Sequence, residues 1–328
     1  MCNLRLMSSQ RPIDQQAIIA QIEHVLSDDE ISTRAPQIRK VILSNNGSIL
    51  DETTFPPRAL DYLLSSLNVR LPNLRVVTIE TRAEYVDSDR LKSLSCTMEG
   101  RDTPVGFELA TALEAFGDHI RNSTLRKGLT LQAFEDLVRI LKRSSFRLKC
   151  YFMLKPVVGM TDEEALQDVR AGISYLSRIA SQYDMVINLH LNPTFVAHNT
   201  PLEAGFRTGE YNPPQLGEVI DAVLSARDSS ISVFVGLNDE GCAVAGGSIL
   251  ATCGADGLQA LETFNRTQNY HALAEFRIWT RRVAKEGHRP SGGSRTKRTC
   301  SIPSRDQEDS AQDSSDAFRF RGRQAPSW

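Results

Sequence analysis

No Cys-x-x-Cys pair occurs anywhere in the chain. Its six cysteines stand apart, at Cys2, Cys96, Cys150, Cys242, Cys253 and Cys300. Isolated cysteines exclude a disulfide framework and point to a reducing, cytoplasmic setting. No apolar run approaches the roughly 20 residues of a membrane helix, and Met1–Gln10 lacks the apolar core of a secretory signal. Charge of one sign is missing too. Lys plus Arg number 38 against 40 Asp plus Glu, so no global bias advertises a nucleic-acid or membrane partner. What is present is ordinary globular composition: 41% hydrophobic over 328 residues, enough for one large α/β domain or two smaller ones.

Short apolar runs alternate with amphipathic stretches. Strands are predicted at Gln37–Leu43, Leu74–Ile79, Thr103–Leu109, Phe146–Leu154, Met185–Leu191 and Ile231–Gly236. Helical spacing lies between them: Asp14–Leu26, Phe55–Leu67, Tyr85–Leu94, a stretch from Leu131 with Phe134, Leu137, Val138 and Leu141 on one face, and Thr161–Ser181 opened by a capping box. Further helices are expected from Pro213 to about Ala226, at Leu258–Phe264 and from Tyr270 to about Arg282. Strands separated by helices return in parallel, so the pattern predicts an α/β fold, a full or partial parallel barrel. Ligands in such folds collect at the carboxyl ends of the strands.

Several polar residues fall at those predicted ends. Asn46–Gly47–Ser48 follows the first strand, where small residues could leave amides free for a ligand or simply make a turn. Glu80 and Arg82 follow the second, as a ligand-binding pair or a solvated ion pair. Glu108 closes the predicted third strand, Lys155 follows the fourth and Asn192 the fifth. His190 lies within a strand, where a lone histidine is more often packed or hydrogen-bonded than a metal ligand. From Gly287 onward aliphatic residues are almost absent, which predicts a disordered tail. Within it Phe318–Arg323 is an aromatic–arginine patch that could meet RNA, or plain solvated tail. The expected organisation is a barrel over 1–236, a loop-and-helix extension over 237–284 packed on it, and a disordered tail over 285–328.

Four segments in order resemble the radical S-adenosylmethionine (radical SAM) superfamily. They are Gly106–Phe107–Glu108, Arg126–Lys127–Gly128–Leu129–Thr130, Lys149–Leu154 with Lys155–Pro156, and Asn192–Pro193–Thr194. The resemblance spans about residues 1 to 280. It is to the branch that holds the elongator catalytic subunit, the methylthiotransferases and the radical SAM partners of archaeosine synthase. It implies a partial (βα)6 TIM-like barrel with a [4Fe–4S] cluster, held by CxxxCxxC after the first strand. Reduction of that cluster cleaves S-adenosylmethionine (SAM) to methionine and a 5′-deoxyadenosyl radical. Carried over, it places Asn46, Gly47 and Ser48 near the SAM amino group, Glu80 and Arg82 at the third-strand end of the family barrel, Glu108 as the fourth-strand acid, and Asn192 beside adenine and ribose. Cys2 matches the last cluster cysteine. The resemblance begins there, so the barrel is expected to lack its first strand. One thiolate cannot hold four irons, and the chain as written is expected not to cleave SAM. The alternatives are a catalytically dead barrel kept for SAM, nucleic acid or a protein partner, and an unrelated barrel using Glu80, Glu108 and Lys155 as acid and base. The sequence does not identify the substrate; SAM is the expected partner, with RNA or a small molecule as substrate candidates.

Overall fold

In a computed structural model the described residues are 13–45, 47–101, 103–286 and 317–321. Helices α1 (Gln15–Leu26) and α2 (Asp29–Arg34) lead into strand β1 (Lys40–Ser44). Then follow α3 (Pro57–Arg70), β2 (Val76–Glu80), α4 (Ser88–Thr97), β3 (Gly106–Glu114), a π-helical turn (His119–Thr124), α5 (Leu131–Arg143), β4 (Arg147–Leu154), α6 (Asp162–Tyr183) and β5 (Ile187–Pro193). The chain continues through α7 (Pro201–Thr208), α8 (Leu216–Leu224), β6 (Ser232–Val235), α9 (Ile249–Thr252), α10 (Gly254–Thr267), α11 (Tyr270–Glu286) and β7 (Ala317–Arg321). The sheet order is β6-β5-β4-β3-β2-β1-β7, with every neighbouring pair parallel. Strands β1 to β6 form the half-barrel that the alternation predicts.

Local chemistry explains the helices. Asp14 accepts from the Gln16 N–H at the start of α1, whose Ile18, Ile22 and Leu26 recur every four residues on the buried side. Thr130 caps α5 through the Ala133 N–H, and Phe134, Leu137, Val138 and Leu141 are buried as the spacing predicts. Thr161 and Glu164 close a reciprocal capping box on α6, and Asp184 ends it in the left-handed conformation.

Each strand has one apolar and one polar face. Val41, Leu43, Val77, Ile79, Phe107, Leu109, Leu148, Cys150, Phe152, Leu189, Leu191, Val233 and Val235 join the helices in the main core. The alternate residues, among them Lys40, Thr78, Glu80, Glu108, Lys149, Tyr151, His190 and Asn192, belong to the concave face. The register aligns Glu80, Ala110, Lys149, Asn188 and Ser232 in one row, and Ala112, Tyr151, His190 and Phe234 in the next. A parallel sheet covered on both sides carries near-continuous apolar strands; here the polar row marks the face left for something else.

One strand boundary differs from the expectation. β3 does not stop near Glu108 but runs five residues beyond Leu109, to Glu114. Glu108 is its third residue, turned to the concave side, where Lys40 Nζ lies 3.0 Å away and Thr78 donates at 2.8 Å. A charge paired inside the sheet had the look of a strand terminus. The acid at the actual end is Glu114, with φ 67°.

Both edges of the sheet are covered. Asn265 of α10 and Gln268, which caps that helix, bond to the backbone of β6: Val235 N–H to Asn265 Oδ1 at 2.8 Å, Asn265 Nδ2 to Val235 O at 2.9 Å, and Gln268 Nε2 to Val233 O at 2.7 Å. The opposite edge, β1, pairs with β7. Of the tail expected to be disordered, Ala317–Arg321 is thus a strand and Lys285–Glu286 end α11. Residues 287–316 and 322–328, like the expected cluster ligand Cys2, lie outside the described residues.

Candidate functional site

The concave face and its rim are built from the ends of five strands. After β1 the chain turns sharply. The Gly47 N–H donates to Asn45 Oδ1 at 2.9 Å, and the Thr54 hydroxyl donates to Ser48 O at 2.8 Å. Ser48 is 1% exposed and its Oγ accepts the Arg82 N–H at 3.1 Å, tying this loop to the one after β2. Gly47 and Ser48 therefore shape the turn with the groups the sequence offered to a ligand. Asn46 lies outside the described residues.

Glu80 ends β2 on the concave face, and the Tyr151 hydroxyl donates to its carboxylate. That bond crosses the whole of β3, which the small side chains of Ala110 and Ala112 allow. Arg82, by contrast, is exposed; its guanidinium pairs with Glu84 at 2.5 Å and reaches the Lys127 carbonyl at 3.5 Å. The structure thus separates two residues that adjacency in the sequence had joined. Glu108 sits one row deeper than Glu80, committed to Lys40 and Thr78.

Farther round, an aromatic wall continues the face. His190 lies between Tyr151 and Phe234 with ring centroids 4.9 Å from each, and Lys149 Nζ is 5.7 Å from both of those outer rings. Asn192 stands at the upper end of β5. A Cβ added at Gly236 would lie 2.2 Å from Asn192 Oδ1 and 3.0 Å from His190 Nε2. Gly236 is thus the space into which Asn192 fits. Glu80, Glu108 and Asn192 share one face. Tyr151, Lys149 and Gly236 were missed, although period-two alternation over Arg147–Leu154 carried the signal for the first two.

Past β3, Glu114 and Lys127 pair at 3.3 Å, each less than a fifth exposed. Their loop is clamped by Arg121, which is 1% exposed and donates to Leu129 O, Ala115 O and Phe116 O at 2.7, 3.1 and 2.6 Å. Asp168 of α6 accepts the Phe116 and Gly117 N–H groups at 3.1 and 2.7 Å. Burial raises the Asp168 pKa despite those two amides and the Arg121 charge, which lower it.

Lys155 faces elsewhere. Its φ is 60°, and its ammonium pairs with Asp162 at the start of α6 and lies 5.8 Å from the Tyr211 ring centroid. It lines a cavity of about 170 Å³ with Leu154, Asp162, Glu163, Glu218 and Asp221. The hydrogen bond from Lys155, with its charge, holds the Asp162 carboxyl below the ordinary range, while burial first and the Asp162 charge next raise Glu218. The Lys155 geometry is that of a structural salt bridge.

Among the described residues no three of His, Cys, Asp and Glu are placed to hold a metal ion. Cys150 is buried on the helix-covered side, its thiol pushed up to about 12 by burial, and Cys96 is exposed on α4.

No family model matches the chain. Over 270 residues it is 27% identical to archaeosine synthase subunit beta of Methanosarcina acetivorans, covering 82% of this chain and 73% of that protein. By sequence the chain is similar to archaeosine synthase subunit beta from two archaea. It is also 24% identical over 276 residues to the uncharacterized protein MJ0550 of Methanocaldococcus jannaschii, covering 83% of this chain and 72% of that one. Among solved structures, Elp3 of Methanocaldococcus infernus superposes with a TM-score of 0.49 at 14% identity, over 78% of this chain and 59% of that one. A radical SAM methyltransferase from Sphaerobacter thermophilus gives 0.46 at 14% identity, over 74% and 63%. These likenesses are loose, and a sugar epimerase from E. coli reaches 0.40 at 12% identity over 73% and 87%.

Proposed function

We propose that the concave face binds S-adenosylmethionine and that the chain supplies the barrel of a radical SAM-type protein. The observation that carries this reading is the polar row at the rim, Glu80 held by Tyr151 and Asn192 seated over Gly236, in a chain related to archaeosine synthase subunit beta. SAM presents an ammonium, a sulfonium, a ribose diol and an adenine. A rim carboxylate suits a cation or hydroxyls, an amide both accepts from and donates to a base, and the Tyr151–His190–Phe234 wall offers flat apolar surface to a ring. Gly47, Ser48 and Arg82 contribute to this reading by fixing the loops around Glu80, and Glu108 by neutralising Lys40 beneath it.

The other group that the resemblance implies, a [4Fe–4S] cluster, is not matched by the described side chains. It would supply the electron for reductive cleavage of SAM. Among the described residues Cys150 is buried among apolar side chains, Cys96 is on an outer helix, and no three ligands meet. No step is therefore assigned to it, and SAM binding is the function proposed for this chain. Because the relatives are named as a subunit, a protein partner belongs to this reading, with RNA or a small molecule as substrate of the assembled enzyme.

Isothermal titration of the full chain with SAM tests the proposal. A micromolar Kd, about −8 kcal/mol, is expected, weakened at least tenfold by Glu80→Gln and by Asn192→Ala. Absence of heat at millimolar SAM, or equal affinity in both variants, would overturn it.

A further inference from the structure

Helix α11 is fixed along its inner side. Leu273 is buried, Phe276 packs against the main core, and Arg277 donates to the Asp221 carboxylate of α8 at 2.9 and 2.6 Å. Arg281 turns to the same carboxylate at 3.1 Å. The outer side is thereby held in place, and it is apolar where it meets water. Ile278, Trp279 and Val283 are 50%, 45% and 46% exposed within two turns. The other large apolar side chains exposed among the described residues are Ile13, Tyr62, Val69, Tyr85, Val158 and Val186, which stand singly along the chain. Single exposed apolar residues are ordinary, whereas a contiguous patch marks an interaction site, and tryptophan is a residue type that anchors one. Trp279 stacks obliquely on Phe276, ring centroids 5.6 Å apart. Beside the pair, between Leu216 of α8 and Gly257 of α10, opens a groove of about 260 Å³ that an apolar side chain can enter.

The charges on this face are of opposite sign and symmetric about the patch. Glu275 and Arg282 are both exposed. Seven positions are close to two turns, so the two share one face of the helix. The midpoint between them falls between Ile278 and Trp279. Laid antiparallel across a two-fold axis at that midpoint, a second α11 brings its Arg282 level with Glu275 and its Glu275 level with Arg282, while Ile278 meets Trp279. A parallel pairing in register would set like charge against like. The helix has 17 residues. At ~1.5 Å per residue and ~12 Å across, its outer strip covers roughly 300 Å², short of the ~800 Å² per partner in a standard interface. The pair is therefore a weak one, formed in the micromolar range.

We propose that the outer face of α11, with the groove beside it, is the docking site of a second copy of this chain, joined antiparallel through Ile278, Trp279 and Val283. The inference is independent of SAM binding and stands or falls separately from it.

Sedimentation equilibrium of the full chain from about 1 to 500 µM tests it. A monomer–dimer equilibrium is expected, weakened at least tenfold by Ile278→Asp, which replaces an exposed side chain and leaves the fold in place. Glu275→Arg alone and Arg282→Glu alone should each weaken self-association at least tenfold, because each sets like charges level across the axis. An equimolar mixture of those two single variants restores both opposite-sign pairs, and should associate as tightly as the unaltered chain. A monomer at every concentration, a dimer indifferent to Ile278→Asp, or a mixture that associates no better than its two components would overturn the proposal.

Discussion

Removing Glu108 should damage the fold and spare the site. Lys40 and Glu108 pair at 3.0 Å with side chains only 12% and 8% exposed, and Thr78 completes the carboxylate's shell. Breaking such a pair from one side leaves a buried charge uncompensated, at a cost of about 3–5 kcal/mol. Lys40→Met and Glu108→Leu alone should each lose that much. The double variant should recover most of it, since both charges go together. At about 2–4 °C per kcal/mol for a domain of ~200 residues, the single variants should melt at least ~6 °C lower. Urea titration gives the free energies and closes the double-mutant cycle. SAM titration of the double variant should give the affinity of the unaltered chain. Single variants that cost less than ~1 kcal/mol, or a double variant that folds normally and has lost SAM, would refute the reasoning and return Glu108 to the ligand.

Three further outcomes are expected. Gly236→Ala must displace Asn192, because the new Cβ would lie 2.2 Å from its Oδ1; stability should fall by about 1–3 kcal/mol and SAM affinity with it, both read on the same protein. The Asp162 carboxyl is held low by Lys155, so its contribution is present above the unfolded carboxylate range, about pH 3.9, and is lost as pH falls through the lowered folded value. The stability gap between the unaltered chain and Asp162→Asn should then narrow below about pH 4 in urea titrations, and a gap that widens would be inconsistent. Anaerobic treatment of the chain as written with iron and sulfide should yield no stable visible iron–sulfur absorbance; a stable four-iron spectrum would show that ligands outside the described residues suffice.

Much of the architecture was legible because burial imposes period on sequence. The strands beginning near residues 40, 76, 147, 187 and 232 read as short apolar runs, and α5 and α6 as apolar stripes with caps at Thr130 and Thr161. The end of β3 was not legible. Ala110 and Ala112 are weak strand formers, and Glu108 looked like a boundary because its partner, Lys40, is 68 positions away in sequence (108 − 40). The same long-range pairing hid the site: Glu80 and Tyr151 meet only when three strands align. Arg121 and its π-helical turn were not legible, since the carbonyls it satisfies give no side-chain signal. Lys155 shared a strand end with the site in sequence, but its left-handed backbone turns it to Asp162. β7 was concealed by its surroundings, five alternating residues in a segment almost free of aliphatic side chains.

Hydrogen exchange of the full chain with and without saturating SAM locates the ligand directly. Slowed exchange is expected at the carboxyl ends of β2, β4 and β5, around Glu80, Tyr151 and Asn192, with none around the Lys155–Asp162 cavity. Protection confined to that outer cavity, or none anywhere while SAM is bound, would contradict the claim that the concave face of the half-barrel is the binding surface.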